Sequence, residues 1–269
     1  MSEKIENSRA IITGGAQGIG FQISRHLLMN EAKTIAILDI NESAGVESMK
    51  KLNDEFGEGR SLFFVTDVSN ADQFKENFHK AVEELGGLEI VINNAGILDY
   101  KRWESMLDIN IKGVINGTML GFDHMGKHKG GKGGTIINMG SIAPIMKDSF
   151  SPIYSASKAA IMTYSRIMGT FYDKSGVAIK VMCPGRTESN LITFCPDQFL
   201  DYLVKPDDAA EIIKSLPALK PEDVALEVMA LIKDPSTSTT WVKIAEVPTS
   251  RLYFLDFPDN LIPHESQDD

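Results

Sequence analysis

At 269 residues, 43% hydrophobic and 24% charged, the chain suits one soluble α/β domain with a large buried core. Its 27 basic and 37 acidic side chains give a formal net charge of −10, and the longest basic run is Lys127-His128-Lys129. That balance counts against nucleic acid and against an anionic membrane surface as partners. Two cysteines, Cys183 and Cys195, supply no disulfide framework and suit a reducing compartment. Met1 to Asn7 is polar, without an apolar signal region, and no apolar run approaches the roughly 18 residues that span a bilayer. A cytoplasmic protein is the expectation.

Arg9 to Thr13 (RAIIT) is a short apolar run that stops at glycines, as a buried strand does. Gly14-Gly15-Ala16-Gln17-Gly18-Ile19-Gly20 follows, and then a helical pattern from Phe21 to Asn30. Strand, glycine-rich turn and helix together make a dinucleotide-binding arrangement. Glycines let the backbone approach a pyrophosphate, and a helix start offers free N–H groups and the positive end of its dipole. Gly14, Gln17, Gly18, Ile19 and Gly20 are the positions that would face the cofactor. The spacing is Gly-x3-Gly-x-Gly, and the plainer reading of such a stretch is a tight turn.

Thr34 to Leu38 is the second strand and ends on Asp39. A carboxylate there accepts hydrogen bonds from the adenosine ribose and repels a 2′-phosphate. Ile40, Asn41 and Gln17 are uncharged, so NAD is favoured over NADP; otherwise Asp39 is a cap for the next helix. A polar-faced helix over Glu42 to Phe56, a strand over Leu62 to Thr66 ending at Asp67-Val68, a helix over Ala71 to Leu85 and a strand over Ile90 to Ile92 follow. Alternation of this length specifies a parallel sheet covered on both faces, with ligands gathered at the carboxyl ends of the strands. Gly14, Asp39, Asp67 and Asn94 all fall on that edge.

Trp103 to Met125 reads as one long apolar helix, within which Asn110 needs polar partners. Lys127 to Gly134 is an exposed connector, and Thr135 to Met139 is a fifth strand leading to Gly140-Ser141. In Tyr154-Ser155-Ala156-Ser157-Lys158, a phenol and an ammonium stand four residues apart on one face of a helix. A tyrosine titrates near about 10, and a cation held close favours its phenolate. The same spacing also occurs on helices without function. The five histidines are scattered and no metal cluster is apparent.

Thr13 to Gly20, Asp67, Asn93 to Gly96, Asn110, Ser141, Tyr154, Lys158 and Pro184-Gly185 carry a resemblance to the short-chain dehydrogenases/reductases, over roughly residues 5 to 190. Within that family the chain looks most like the 15-hydroxyprostaglandin and insect-type alcohol dehydrogenases, through Gly117 to Asp123, Gly130 to Asn138 and Gly140 to Ile142. The resemblance implies a single-domain Rossmann fold, a doubly wound seven-stranded parallel sheet with helices on both faces. It implies Tyr154 as the acid/base and Lys158 as the group that holds the nicotinamide ribose and lowers the Tyr154 pKa. Ser141 would hold the substrate oxygen, and Asn110 would fix a water in a proton path. Asp67 and Val68 would contact adenine and Asn94 the adenosine-side ribose, with Gly96 bordering the cofactor. Pro184, Thr187 and Ser189 would seat the carboxamide. Ser151 stands where the prostaglandin enzymes carry a substrate-contacting glutamine, which counts against a prostaglandin substrate. Homodimers or homotetramers are a family-level expectation.

Residues 190 to 220 fall where the family places a substrate lid, and Leu191, Ile192, Phe194 and Phe199 give it an apolar character suited to a lipophilic alcohol or ketone, or to packing on the sheet. Pro221 to Lys233 is a helix and Thr240 to Ile244 a seventh strand. The tail over 247 to 269 carries Leu252, Tyr253, Phe254, Leu255 and Phe257, and is expected to dock on a neighbouring subunit. The sum is an NAD-dependent oxidoreductase acting on a secondary or lipophilic alcohol. A catalytically silent nucleotide-binding carrier, or an enzyme working mainly as a carbonyl reductase, is the alternative.

Overall fold

A computed structural model of the chain describes residues 5–146, 151–189, 191, 215 and 217–254. Its strands are β1 (Arg9–Thr13), β2 (Thr34–Asp39), β3 (Ser61–Val65), β4 (Ile90–Asn93), β5 (Gly134–Met139), β6 (Val177–Pro184), β7 (Ser238–Lys243) and β8 (Ser250–Leu252). They pair in the order β3-β2-β1-β4-β5-β6-β7-β8. The first seven run parallel, as expected, and the eighth is antiparallel to β7. The sheet therefore has one strand more than the seven read from the sequence. Its extra strand comes from the tail, where Glu246 at φ 63° turns the chain back so that Ser250 pairs with Val242 and Leu252 with Thr240. The open edge of β7 supplied unpaired backbone groups for it. The remainder of the tail and most of the lid stretch, 192–214, lie outside the described residues.

Strands of a parallel sheet are buried on both faces and alternate sides along their length. Ile12, Ile35, Ile37 and Ile92 face one layer, made by α1 (Gly18–Met29), α2 (Glu42–Phe56) and, after β6, the helix Pro221–Lys233. Ile11, Ala36, Leu38 and Val91 face the other, where α3 (Ala71–Leu85) contributes Phe74 and Phe78. Helix starts follow their caps: Asn41 accepts from Ala44 N–H at 3.1 Å and Asn70 from Gln73 N–H at 3.1 Å. Asn41, and not Asp39, therefore caps α2.

The helix expected over 103–125 is interrupted. It runs as α4 (Trp103–Leu107), a π-helical turn (Asp108–Gly113) and α5 (Val114–Met125). The wider turn carries Asn110 at 0% exposure, where its Oδ1 accepts from Ile97 N–H and its Nδ2 donates to Ile97 O, both at 2.9 Å. A buried amide satisfied this way outweighs a regular helix repeat at that point. Then come α6 (Pro152–Gly169), α7 (Tyr172–Ser175) and α8 (Pro221–Lys233).

Beneath the carboxyl edge, four buried polar side chains join β4, β5, α5 and α6. Asn93 Nδ2 donates to Asn138 Oδ1 at 2.8 Å and to Thr118 Oγ1 at 3.2 Å, and Asn138 Nδ2 donates to Ser165 Oγ at 2.8 Å. Thr118 Oγ1 in turn donates to Asn138 Oδ1 at 3.2 Å. On the far side, Lys180 of β6 is fully buried and its ammonium donates to the carbonyls of Leu231, Ile232 and Asp234 at 2.8–3.3 Å. A cation there meets the negative end of α8.

Candidate active site

The cleft begins at the end of β1. Gly14 has φ +64°, and a Cβ on it would sit 2.8 Å from Ala95 Cα. A Cβ on Gly20 would sit 2.1 Å from Gly14 O. Both positions require glycine, the first for its backbone angle and the second because α1 lies directly on the loop. Thr13 Oγ1 accepts from Asn94 N–H and Ala95 N–H at 3.1 Å each, and Asn94 Nδ2 donates to Thr13 O and Gly14 O at 3.1 and 2.9 Å. The turn after β4 is thus tied to the glycine turn.

Asp39, at the end of β2, holds the same turn from the other side. Its Oδ2 accepts from Ala16 N–H and its Oδ1 from Asn41 N–H, both at 3.0 Å. Ser48 Oγ donates to Ala16 O at 2.5 Å. Between these supports α1 starts without a side-chain cap from Gln17, its N–H groups directed at the space above the sheet edge. A backbone cradle that side chains cannot fill, beside a carboxylate, fits a pyrophosphate and an adenosine ribose.

The cleft has a volume of about 500 Å³. Asp39, Asp67 and Val68 border it at the β2–β3 end of the sheet, while Tyr154, Lys158 and Pro184 border it at the β5–β6 end. Gln17, Gly18 and Ile19 form its floor with Asn94 and Gly96. Asp67 Oδ1 accepts from Ser69 N–H and Oγ at 2.9 and 2.6 Å.

At the β5–β6 end α6 presents Tyr154, 7% exposed, with its hydroxyl hydrogen-bonded to Ser141. Burial pushes the Tyr154 phenol up to about 12, opposed by the Ser141 hydrogen bond and reinforced by Cys183 and Tyr100. Burial likewise brings Lys158 down to about 8. The Lys158 ammonium donates to Met139 O at 2.9 Å and lies 5.7 Å from the centre of the Tyr154 ring. Desolvation is the largest influence on both groups, and the ammonium is turned to a backbone carbonyl. Asn110 Nδ2 reaches Ser157 Oγ at 3.3 Å, and that hydroxyl donates to Tyr154 O at 2.7 Å. A Cβ on Gly96 would lie 3.2 Å from Asn110 Oδ1 and 3.6 Å from Lys158 Nζ.

The family model described as short chain dehydrogenase matches residues 8–197 of the chain. The chain belongs to the short-chain dehydrogenase family. It is 36% identical over 252 residues to the 15-hydroxyprostaglandin dehydrogenase [NAD(+)] of Mus musculus, covering 92% of this chain and 93% of that protein. It is 32% identical over 191 residues to 3beta-hydroxysteroid dehydrogenase 2 of Eggerthella lenta, covering 68% and 72%. Among solved structures, a dehydrogenase/reductase from Sinorhizobium meliloti 1021 superposes with a TM-score of 0.74 at 22% identity, over 90% of this chain and 96% of that one, which shows a shared fold.

The structure brings most of the expected residues of this short-chain dehydrogenase together at the cleft and sets a few behind its wall. Asn94 donates from its amide nitrogen to the glycine turn and also borders the cleft. Gly20 and Asn110 stand behind the cleft wall, where they set its shape. Thr187 is buried with its hydroxyl donating to Gly185 O at 3.0 Å, while Pro184 at the end of β6 and Ser189 and Leu191 beyond it line the cleft. Ser151 is not among the residues that line the cleft. The sequence assigned no role to Thr13, Ile97 or Met139. Thr13 carries a signal, a hydroxyl at a strand end just before the glycines. Ile97 and Met139 act through backbone groups, which leave no mark in a sequence. No helix among the described residues is long and apolar enough to cross a membrane.

Proposed function

We propose that this short-chain dehydrogenase oxidises a lipophilic secondary alcohol with NAD, and runs in reverse as a carbonyl reductase. One observation carries the reading. Tyr154, Ser141 and Lys158 converge at one end of the cleft whose other end holds Asp39. NAD supplies the hydride acceptor and, when oxidised, a positive charge. The cradle at Gly14 and Gly20 and the carboxylate of Asp39 fit it, and Ile40 and Asn41 offer no cation for a 2′-phosphate.

In the proposed step the alcohol oxygen is held between the hydroxyls of Ser141 and Tyr154. As the carbinol C–H bond breaks and its electron pair leaves as hydride, the hydroxyl proton passes to Tyr154 and the carbonyl forms. Ser141 donates to the oxygen while charge builds on it. A phenol pushed to about 12 is a weak base near neutrality, so positive charge beside it, the Lys158 ammonium included, is needed to favour its ionised form. The relatives named for a 15-hydroxyprostaglandin and a 3beta-hydroxysteroid support a bulky secondary alcohol over a short one.

The test is NADH formation across a panel of short alcohols, 2-octanol, terpenoid alcohols, a 3β-hydroxysteroid, a 15-hydroxyprostaglandin and hydroxy fatty acids, repeated with NADP. Turnover of one class with NAD is expected. Tyr154→Phe should lower kcat by about 10³-fold, the scale of a lost acid/base group, with NAD affinity retained. Full turnover in that variant would sink the mechanism. Silence across the panel with NAD still bound would favour a nucleotide-binding carrier.

A further inference from the structure

Tyr154, Lys158, Met162 and Arg166 follow one another every fourth residue along α6, so the pair at the cleft shares its side of the helix with two residues further down. Below the cleft that side meets the tail. Met162 is buried with Val181 and Cys183 of β6, and Val242 of β7 and Leu252 of β8 pack on the same cluster. One turn on, the Arg166 guanidinium stands 5.3 Å from the centre of the Phe254 ring. The cluster also lies directly under the residue before Ser141: a Cβ on Gly140 would sit 2.7 Å from Cys183 Sγ and 2.9 Å from Val181 Cγ1. Leu252 thus packs on a small core that supports both α6 and the turn carrying Ser141.

β8 is fastened for this on its other face. Side chains alternate along a strand, and residues opposite one another in a pair share a face, here Thr240 with Leu252 and Trp241 with Arg251. Val242 and Leu252 accordingly point to the α6 layer, while Trp241 packs in the layer of α8. Arg251 follows Trp241: its guanidinium lies 5.9 Å from the centre of the Trp241 ring and donates to the Asp234 carboxylate at 2.5 Å, just past the end of α8.

The hydrogen bonds on α6 show what the tail adds. Lys158 on Met139 O and Ser165 on Asn138 fall seven residues apart, close to one line along the helix, and two points on a line leave rotation about it free. On one side of that line Ser157 meets Asn110. On the other side, about 40° and about 80° round the helix from Lys158, stand Met162 and Arg166, and these are the positions that Leu252 and Phe254 reach.

We propose that β8 is a strap on α6, and that Leu252, together with Phe254, is a positioning residue: the two contacts hold the helix at the roll angle that presents Tyr154 and Lys158 to the cleft. The consequence for turnover rests on the dehydrogenase reading above, whereas the strap itself does not. The comparison is made in the full chain. Leu252→Ala with Phe254→Ala removes both contacts and leaves the backbone pairing of β7 with β8. Leu252→Met with Phe254→Tyr keeps an apolar side chain and a ring in place. Val82→Ala, buried towards the far end of α3, removes core volume away from the cleft and is the control for stability alone.

Hydrogen exchange is followed over residues 158–168, and kcat and NAD affinity are measured well below each melting temperature, with the panel alcohol of highest wild-type turnover. L252A/F254A should exchange about tenfold faster over that stretch and lose about tenfold in kcat, the effect of a fraction of an ångström at the reacting groups, while NAD affinity changes by less than about threefold. V82A should keep kcat within about twofold of wild type. L252M/F254Y should recover both exchange and kcat. Unchanged exchange in L252A/F254A overturns the strap. Faster exchange with unchanged kcat, an equal loss of NAD affinity, an equal loss of kcat in V82A, or a loss that L252M/F254Y does not recover overturns the positioning role. If no alcohol is turned over by the wild type, the dehydrogenase reading fails while exchange still decides the strap.

Discussion

Replacing Asp39 with Ala removes one carboxylate that does two jobs. Its oxygens now accept from Ala16 N–H and Asn41 N–H at 3.0 Å each. Both donors border the open cleft or an exposed turn, so water can replace the lost acceptor, and stability should fall by only about 1 kcal/mol. Cofactor affinity should suffer more. Hydrogen bonds from a ribose diol to a charged acceptor are worth about 1.5–3 kcal/mol each. With water recovering part of the pair, about 3 kcal/mol is lost, or about 10²-fold in Kd for NAD. For NADP the sign reverses. A 2′-phosphate no longer faces a negative charge, and its Kd should improve by about tenfold after solvent screening is allowed for. Calorimetric titration of both cofactors into wild type and Asp39→Ala, with a melting curve for each, gives all three numbers. An NAD affinity that falls by less than about threefold, or an NADP affinity that does not improve, would refute Asp39 as the cofactor selector.

Lys180→Met leaves the carbonyls at the end of α8 without their cation. Leaving these neutral acceptors without a donor costs about 1–3 kcal/mol, which lowers Tm by roughly 5 °C in a chain of this size; a fall under about 2 °C would show that α8 ends equally well without it. Lys158, brought down to about 8 by burial, is protonated below that pH and neutral above it. Its contribution to NAD binding should therefore be present at neutral pH and fade as pH rises through about 8, whereas Lys158→Met should bind weakly and evenly. A flat wild-type profile across that interval would mean that the site keeps Lys158 charged.

Much of the cleft was legible because its features are local. Strands buried on both faces read as continuous apolar runs, glycines mark the turn where backbone must approach a phosphate, and Tyr154 and Lys158 share a helix face by spacing alone. What escaped depends on partners distant in sequence. Nothing in Asp108 to Gly113 breaks the helical pattern; the π turn exists because Asn110 finds the backbone of Ile97. Ser250-Arg251-Leu252 has too little alternation to announce a strand and becomes one because β7 has a free edge. The Lys158 ammonium is turned to Met139 O, and a carbonyl looks the same in every residue. Ser151 stands in the chain where a substrate contact is expected, yet the fold leaves it out of the cleft lining.

The four side chains under the catalytic edge, Asn93, Thr118, Asn138 and Ser165, have a consequence for how this scaffold can be redesigned. Each answers another's donor or acceptor. Turning any one of them apolar strands a buried partner, although an all-apolar set of matched volume can be as stable as the original. A library that varies these positions singly should return only the parent. Varied jointly, the same four positions open a second family of cores, separated from the first by a valley that no single substitution crosses.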